Sequence, residues 1–391
     1  MTVPAKTTPT PKILFLGATG YLGGTLLHRL LASDIASAAA LTDPITVLVR
    51  GEDRAAKLAS KYGPAIKTQT FDSLDETDKI QAIAASHDIV INAGTGFHPG
   101  SAEALIRGLG ERKASQASSS SPSAPTWMIH TSGVSNIADR PVTGTNLPDL
   151  EFSDSDPLAV LAFEEAENKR EWYPQRTAEL TVLRLSDELG VPAVSLQVPC
   201  IFGEGQGLFQ DGGVMIPIMM AYVLDRGYGF TLGDGTADVG IVHVQDLADC
   251  YIAVLRKVLF EGGKDVPTGR KGGGVVYPVP AMRLIDDIAR GCLDVTFARG
   301  LLPKEGGPTE KELRKISIEE AATTVVGSTL MAEVVWGAHR KTTGTVAKEK
   351  LGWKPVFGGP EAWNKDFEDE LDHALSGKRG YTFDVCIANR G

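Results

Sequence analysis

Three glycines at every third position, Gly17, Gly20 and Gly23, follow the apolar run Ile13-Leu14-Phe15-Leu16 and precede residues 25–31, whose apolar side chains recur at helical spacing. Strand, glycine turn and helix in that order form the local context that binds a dinucleotide pyrophosphate. Within Gly17-Ala18-Thr19-Gly20-Tyr21-Leu22-Gly23, Gly17 permits the tight turn, Gly20 lets the backbone approach the phosphates and Gly23 lets the helix pack on the strand. The phosphates would meet the free N–H groups at the positive end of the helix. The competing reading is an ordinary glycine-rich turn, and the presence of both flanking elements argues against it.

Further chemistry-bearing residues fall where successive strands should end. A second strand over 45–49 runs into Arg50-Gly51. An NAD-preferring protein offers a carboxylate here to the ribose hydroxyls. This chain offers Arg50, with Arg54 and Lys57 just beyond. A guanidinium pairs with a 2′-phosphate and stacks on adenine, so the expected cofactor is NADP(H) rather than NAD(H). The alternative for Arg54 and Lys57 is the solvated face of the next helix. A third strand over 65–71 ends at Asp72-Ser73, within reach of an adenine amine. A fourth, over 88–96, runs into Ala93-Gly94-Thr95, whose small side chains leave room for a cofactor backbone. A fifth, over 126–133, ends in the hydroxyls of Thr131 and Ser132.

Helices over 74–86 and 101–112 alternate with these strands, and that alternation implies an α/β fold with a doubly wound parallel sheet. Ligands on such sheets bind at the carboxyl ends of the strands. Gly17, Arg50, Asp72, Gly94 and Ser132 all belong there. Residues 114–125, rich in Ser, Ala and Pro, read as a surface loop, and 136–156 as a polar loop. Helices over 157–166 and from 172 to about 189 follow, with Pro174 suited to a first turn, and then a sixth strand over 193–198. Beyond Gly203 the pattern changes. A glycine-rich stretch leads to an apolar helix over 215–224, strands at 230–232 and 239–244, and helices from Gln245 to Leu259, over 284–298 and over 318–336. The expected division is a dinucleotide-binding Rossmann domain over 1–203, its first 11 residues a disordered arm, and a mainly substrate-capping lobe over 204–391, with 236–262 returning to the first domain.

Composition narrows the class. A net charge of −10 argues against nucleic-acid binding through a basic surface. Cys200, Cys250, Cys292 and Cys386 are widely spaced, which suits a reducing compartment and gives no zinc signature, and the histidines show no metal-ligand spacing. Residues 1–12 have no apolar core, and no run reaches the length of a membrane span. The expected location is cytoplasmic, without metal.

Taken together, these motifs resemble the extended and atypical short-chain dehydrogenase/reductases, particularly their NmrA-like branch. The glycine loop, His130-Thr131-Ser132-Gly133, Pro199-Cys200-Ile201-Phe202-Gly203, Val242-His243-Val244-Gln245-Asp246-Leu247-Ala248-Asp249 and Leu351-Gly352-Trp353-Lys354-Pro355 carry the resemblance over most of 12–360. It implies that Pro199 and Ile201 contact the nicotinamide and that Thr131 lines the cofactor site. It also implies a Tyr-x-x-x-Lys pair, in which the lysine lowers the tyrosine pKa for proton exchange with the substrate oxygen. Here Tyr173 is followed by Thr177 at the lysine position, and alignment on Glu179 puts Glu171 and Gln175 there instead. Either way the lysine is absent. Arg176 or Lys169 could supply the charge, or Tyr173 is a packing residue. Ser132 is the expected hydroxyl for a substrate carbonyl, with Ser135 behind it. His130 reads as a satisfied buried histidine and His243 as a backbone-positioning residue.

The resemblance therefore implies an NADP(H)-dependent carbonyl reductase or alcohol dehydrogenase acting on a small molecule through Ser132, Tyr173 and Arg176. The alternatives are a catalytically degenerate NmrA-like sensor of NADP(H), or an epimerase or dehydratase with tightly held cofactor. Relatives occur as monomers and as homodimers.

Overall fold

The computed structural model describes residues 9–37, 41, 43–118 and 123–378. Residues 1–8 of the expected arm, 119–122 of the Ser/Ala/Pro-rich loop and Cys386 lie outside the described residues.

The first half alternates strand and helix: β1 (Ile13–Leu16), α1 (Tyr21–Ala32), α2 (Asp34–Ser37), β2 (Ile45–Arg50), α3 (Glu52–Tyr62), β3 (Ile66–Phe71), α4 (Thr77–Ala84), β4 (Ile89–Asn92), α5 (Pro99–Ala117) and β5 (Trp127–Gly133). The chain continues through β6 (Glu151–Ser153), α6 (Pro157–Arg170), α7 (Pro174–Leu189), β7 (Ala193–Val198), β8 (Cys200–Phe202), α8 (Met215–Arg226), β9 (Gly229–Leu232), β10 (Asp238–His243) and α9 (Val244–Glu261). It then passes β11 (Val275–Val276), β12 (Ala281–Leu284), α10 (Asp286–Ala298), β13 (Leu313–Ile316) and β14 (Lys341–Thr343), and a helix spans Pro360–Leu375. Seven strands form one sheet in the order β11-β7-β5-β4-β1-β2-β3, every pair parallel. The winding direction reverses between β1 and β4, and a doubly wound sheet opens its ligand crevice at that point.

Both faces of the sheet are covered, which is why β1 reads as an unbroken apolar run. Ile13 and Phe15 pack with Leu26, Leu58 and Leu255 on one face, while Leu14 and Leu16 pack with Ile80, Leu105 and Val182 on the other. Burying a side chain such as Leu14 or Phe15 contributes about 2 kcal/mol, so a charge in β1 would be costly on either face. Helix α9 lies against α1, and Arg29 clamps it through Nε to Asp249 Oδ1 at 2.8 Å and Nη2 to Oδ2 at 2.6 Å. Asp246, in the first turn of α9, accepts from the backbone N–H groups of Val356, Phe357 and Gly358, while Trp353 Nε1 donates to its carbonyl at 2.7 Å. The late Leu-Gly-Trp segment is thereby fastened under α9. A separate apolar core joins α8, β9, α10 and residues 318–338, and Tyr173 belongs to it.

Several expectations need correction. The stretch 318–336 is not one helix. A turn over Ile318–Ala321 widens into a π-turn over Ala322–Val326 and stops at Gly327, whose φ of +75° is left-handed. Ser328 caps a second short helix, Thr329–Ala332, by accepting from Met331 N–H, and another wide turn, Glu333–Gly337, follows. Residues 136–156 are not merely loop, because β6 pairs in parallel with β14, Glu151 opposite Lys341 and Ser153 opposite Thr343. Helix α5 extends five residues past Arg112, started by Pro99 and by His98 Nδ1, which accepts from Ser101 N–H at 3.0 Å. The helix expected over 74–86 shortens to α4, because Glu76 turns back to accept from the N–H groups of Asp72 and Ser73.

Candidate functional site

A cavity of 790 Å³ runs along the carboxyl ends of the central strands, from the glycine loop and Arg50 to Met331, Val335 and Arg340. At its centre the glycine turn is sterically fixed. Gly17 has φ +95°, and a Cβ there would sit 2.2 Å from Ala93 O, while one on Gly23 would sit 2.1 Å from Gly17 O. Gly20 N–H donates to Gly17 O at 2.9 Å and closes the turn. Helix α1 then begins at Tyr21 with no side-chain cap and no acidic residue in its first turn, so its positive end faces the cavity uncompensated. Thr19, Tyr21 and Leu22 line the same stretch. The Tyr21 hydroxyl donates to Gly203 O, and Thr25 Oγ1 accepts from Gln206 N–H at 3.0 Å, which pins the glycine-rich segment after Gly203 over the helix start.

Toward the adenine end, Arg50 and Arg54 both line the cavity; Arg50 is half-buried and Arg54 exposed. Lys57 is exposed and does not line it, in keeping with a solvated helix face. Asp72 and Ser73 lie outside the cavity wall, because the turn that follows β3 is folded onto Glu76 and directs them away. Among the described lining residues there is no Asp, Glu, Lys or His, and the charged ones are Arg50, Arg54 and Arg340.

Midway, Ala93, Gly94 and Thr95 line the wall beside Thr131, Pro199 and Ile201. Thr131 Oγ1 donates to Asn92 O at 2.8 Å and meets the Tyr251 hydroxyl at 2.6 Å, which ties the ends of β4 and β5 to α9. His130 is fully buried, with Nδ1 3.1 Å from Asn92 Nδ2, and burial pushes its pKa down to about 4. It is a neutral structural imidazole.

At the far end the structure gathers Tyr173, Ser135 and Gln175. Tyr173 is the residue before α7, held extended by the following proline, and its side chain is completely buried. Its hydroxyl donates to Ser135 Oγ at 3.1 Å, and Ser135 Oγ donates in turn to Gln175 Oε1. Phe97 meets the phenol ring edge-on at 5.8 Å. Burial raises the Tyr173 pKa, opposed by the Ser135 hydrogen bond and by the charges of Arg140, Arg176 and Arg340. The phenol therefore holds its proton at neutral pH.

The other two expected catalytic residues stand differently. Ser132 touches the cavity, but its Oγ accepts from Asn136 Nδ2 at 3.0 Å, and Ser135 is the serine beside the phenol. Arg176 does not line the cavity. It lies behind the Tyr173 ring, 5.5 Å from its centroid, with Nε donating to Asn136 O at 2.9 Å. Lys169 is exposed on the last turn of α6. Arg340, Met331 and Val335 were not expected. Met331 and Val335 lie in the stretch 318–336 that was expected as one helix and is broken at Gly327 and Ser328, and Arg340 follows it.

Fold and site define a Rossmann-like α/β protein with a doubly wound parallel sheet and its cavity at the carboxyl ends of the strands. Comparison with known proteins agrees. Residues 13–113 match the saccharopine dehydrogenase NADP-binding domain family and residues 160–266 the NAD-dependent epimerase/dehydratase family. The chain is 26% identical over 361 residues to the oxidase ucsJ of Acremonium sp., covering 89% of this chain and 93% of that relative. Among solved structures it is similar to dTDP-glucose 4,6-dehydratase DesIV from Streptomyces venezuelae, with NAD bound (TM-score 0.60, 14% identity, 93% of this chain and 98% of that one). It is also similar to UDP-glucuronic acid 4-epimerase from Bacillus cereus in complex with NAD (TM-score 0.55, 14% identity, 94% and 100%). At these identities the structural likeness speaks for the fold.

Proposed function

We propose that the protein is an NADP(H)-dependent oxidoreductase that interconverts a carbonyl and an alcohol on a small molecule. The observation that carries this reading is Tyr173, a buried, protonated phenol in the same cavity as the glycine loop. Bound cofactor supplies the hydride. In the reductive direction Tyr173 turns its O–H from Ser135 Oγ to the carbonyl oxygen and gives up its proton as negative charge develops there, while Ser135, its own proton held by Gln175, positions the phenol. Arg176 and Arg140 stabilise the phenolate left behind, in place of the missing lysine. Gln175 packs its amide against Gly96 and Gly133 on the wall of the same cavity. The apolar walls contributed by Phe97, Met215, Met331 and Val335 exclude water from the transfer.

The preference for NADP(H) is supported by Arg50 and Arg54 and by the lack of any lining carboxylate among the described residues. A carboxylate would repel a 2′-phosphate and serve free ribose hydroxyls instead. The match of residues 13–113 to an NADP-binding family supports the same preference, beside a match of residues 160–266 to an NAD-dependent family. The test is a panel of ketones and aldehydes with NADPH, and of alcohols with NADP+, on the native chain and on Tyr173→Phe. Turnover that disappears in the variant, with cofactor binding kept, is the expected result. A second reading, an NmrA-like sensor of NADP(H), draws on one observation: no lysine lines the cavity among the described residues. Cofactor binding with no turnover on any of the panel would move the assignment to that reading.

A further inference from the structure

Arg340 is 5% exposed, yet its guanidinium is left almost without partners. Nη2 donates to Val335 O at 2.9 Å, and Nε is buried with no acceptor. No carboxylate among the described residues lies within ion-pair distance of it, whereas Arg140, equally buried, is paired with Glu171 at 2.9 Å. The two nearby acids are committed elsewhere. Asp238 Oδ1 accepts from the backbone N–H of Arg340 at 2.9 Å, and Asp139 accepts from the N–H and from Nδ1 of His339 at 2.7 and 2.8 Å. Those bonds fix the backbone at 339–340 and leave the head group to the cavity. The thiol of Cys200, pushed up to about 12 by burial, and the neutral phenol of Tyr173 bring no negative charge to meet it.

Removing a cation from water without a counter-charge costs several kcal/mol, and arginine cannot escape that cost by losing its proton. The fold nevertheless holds it on a rigid segment, on the same cavity wall as Tyr173 and at the end remote from the pyrophosphate site. We infer that Arg340 is the anchor for an oxyanion on the substrate, so that the natural substrate joins a reducible or oxidisable centre to a carboxylate on an apolar body. This deepens the oxidoreductase reading and rests on it. A guanidinium matches the two oxygens of such a group with two parallel N–H bonds. The neighbouring Met331, Val335, Val214 and Phe97 suit the apolar remainder. The oxyanion would also orient the reacting carbon toward Tyr173 and Ser135 without taking part in proton transfer, so Arg340 is a substrate-binding and specificity residue.

The test uses benzoate and its neutral isostere benzamide as probes, titrated calorimetrically into the full chain saturated with NADPH, with NADPH binding measured separately. Benzoate should bind at least about tenfold tighter than benzamide, the range expected of a charge-assisted pair. Arg340→Gln should erase the difference, and Arg340→Lys should restore part of it, while both keep wild-type NADPH affinity. Equal binding of the two probes by the native protein, no binding of either, or a benzoate preference retained in Arg340→Gln would overturn the inference. If Arg340→Gln fails to bind NADPH and is thus misfolded, the native ratio and Arg340→Lys still decide. Loss of NADPH binding in the native chain would instead strike the oxidoreductase reading itself.

Discussion

The two ends of the cavity use arginine in opposite ways. At one end Arg50, the half-buried last residue of β2, and Arg54, exposed in the first turn of α3, line the cavity. At the reacting end Arg340 is buried on a segment locked by Asp139, Asp238 and Glu333, the last of which accepts from the N–H groups of Val142 and Thr143. Exposed cations are screened by salt and each contributes modestly to binding. A buried cation is screened little, so it discriminates strongly and depends on a rigid frame. The open end can recruit an anionic nucleotide, and the closed end can choose what reacts with it.

The sharpest break in that picture is at Tyr173. Tyr173→Phe should lower kcat by about 1,000-fold, the scale of general acid catalysis, while the NADPH dissociation constant stays unchanged; steady-state kinetics beside a fluorescence titration separates the two. Next comes the wall between the ends. Gly23→Val places side-chain atoms where even a Cβ would lie 2.1 Å from Gly17 O. It should weaken dinucleotide binding by about 100-fold and cost on the order of 2–3 kcal/mol of stability, read by titration and urea unfolding.

His130 sharpens the contrast between buried and exposed charge. Its folded pKa of about 4 lies below the unfolded value near 6.5, so the unfolded chain binds the extra proton first. Stability is therefore fully present above about pH 6.5 and falls as pH drops toward 4, by about 3 kcal/mol for this group. His130→Gln should flatten that part of the pH–stability curve. The smallest effect belongs to the open rim. Raising salt from 0.05 to 0.5 M should weaken NADPH binding by several-fold in the native chain and less in an Arg50→Ala/Arg54→Ala double variant, while benzoate binding at Arg340 changes little.

How much of this was legible in the sequence follows from how local each feature is. The glycine loop, the strand ends and the parallel sheet rest on short patterns whose meaning depends on a few neighbouring residues, and β1 and β7 lie where those patterns put them, while α1 starts at Tyr21, ahead of the helical spacing read at 25–31. The reacting end is assembled from segments far apart in the chain. Ser135 and Gln175 meet only once α7 packs on β5, and Arg340 is placed by the bond of its N–H to Asp238 and by the β6–β14 pairing that starts at the next residue. Neither leaves a periodic trace. A π-turn preserves the apolar composition of a helix while rotating its faces, so 318–336 reads as continuous. Arg176 misleads for a related reason: three residues after Tyr173 it sits near the ring, but on the far side from the cavity.

The most direct test of the whole account is a fluorescence titration with NADPH and with NADH on the native chain and on Arg50→Ala. The account predicts NADPH binding at least about tenfold tighter than NADH, and a difference that narrows in the variant because NADPH alone weakens. Failure of either nucleotide to bind, or NADPH affinity indifferent to Arg50 and no better than that of NADH, would contradict it.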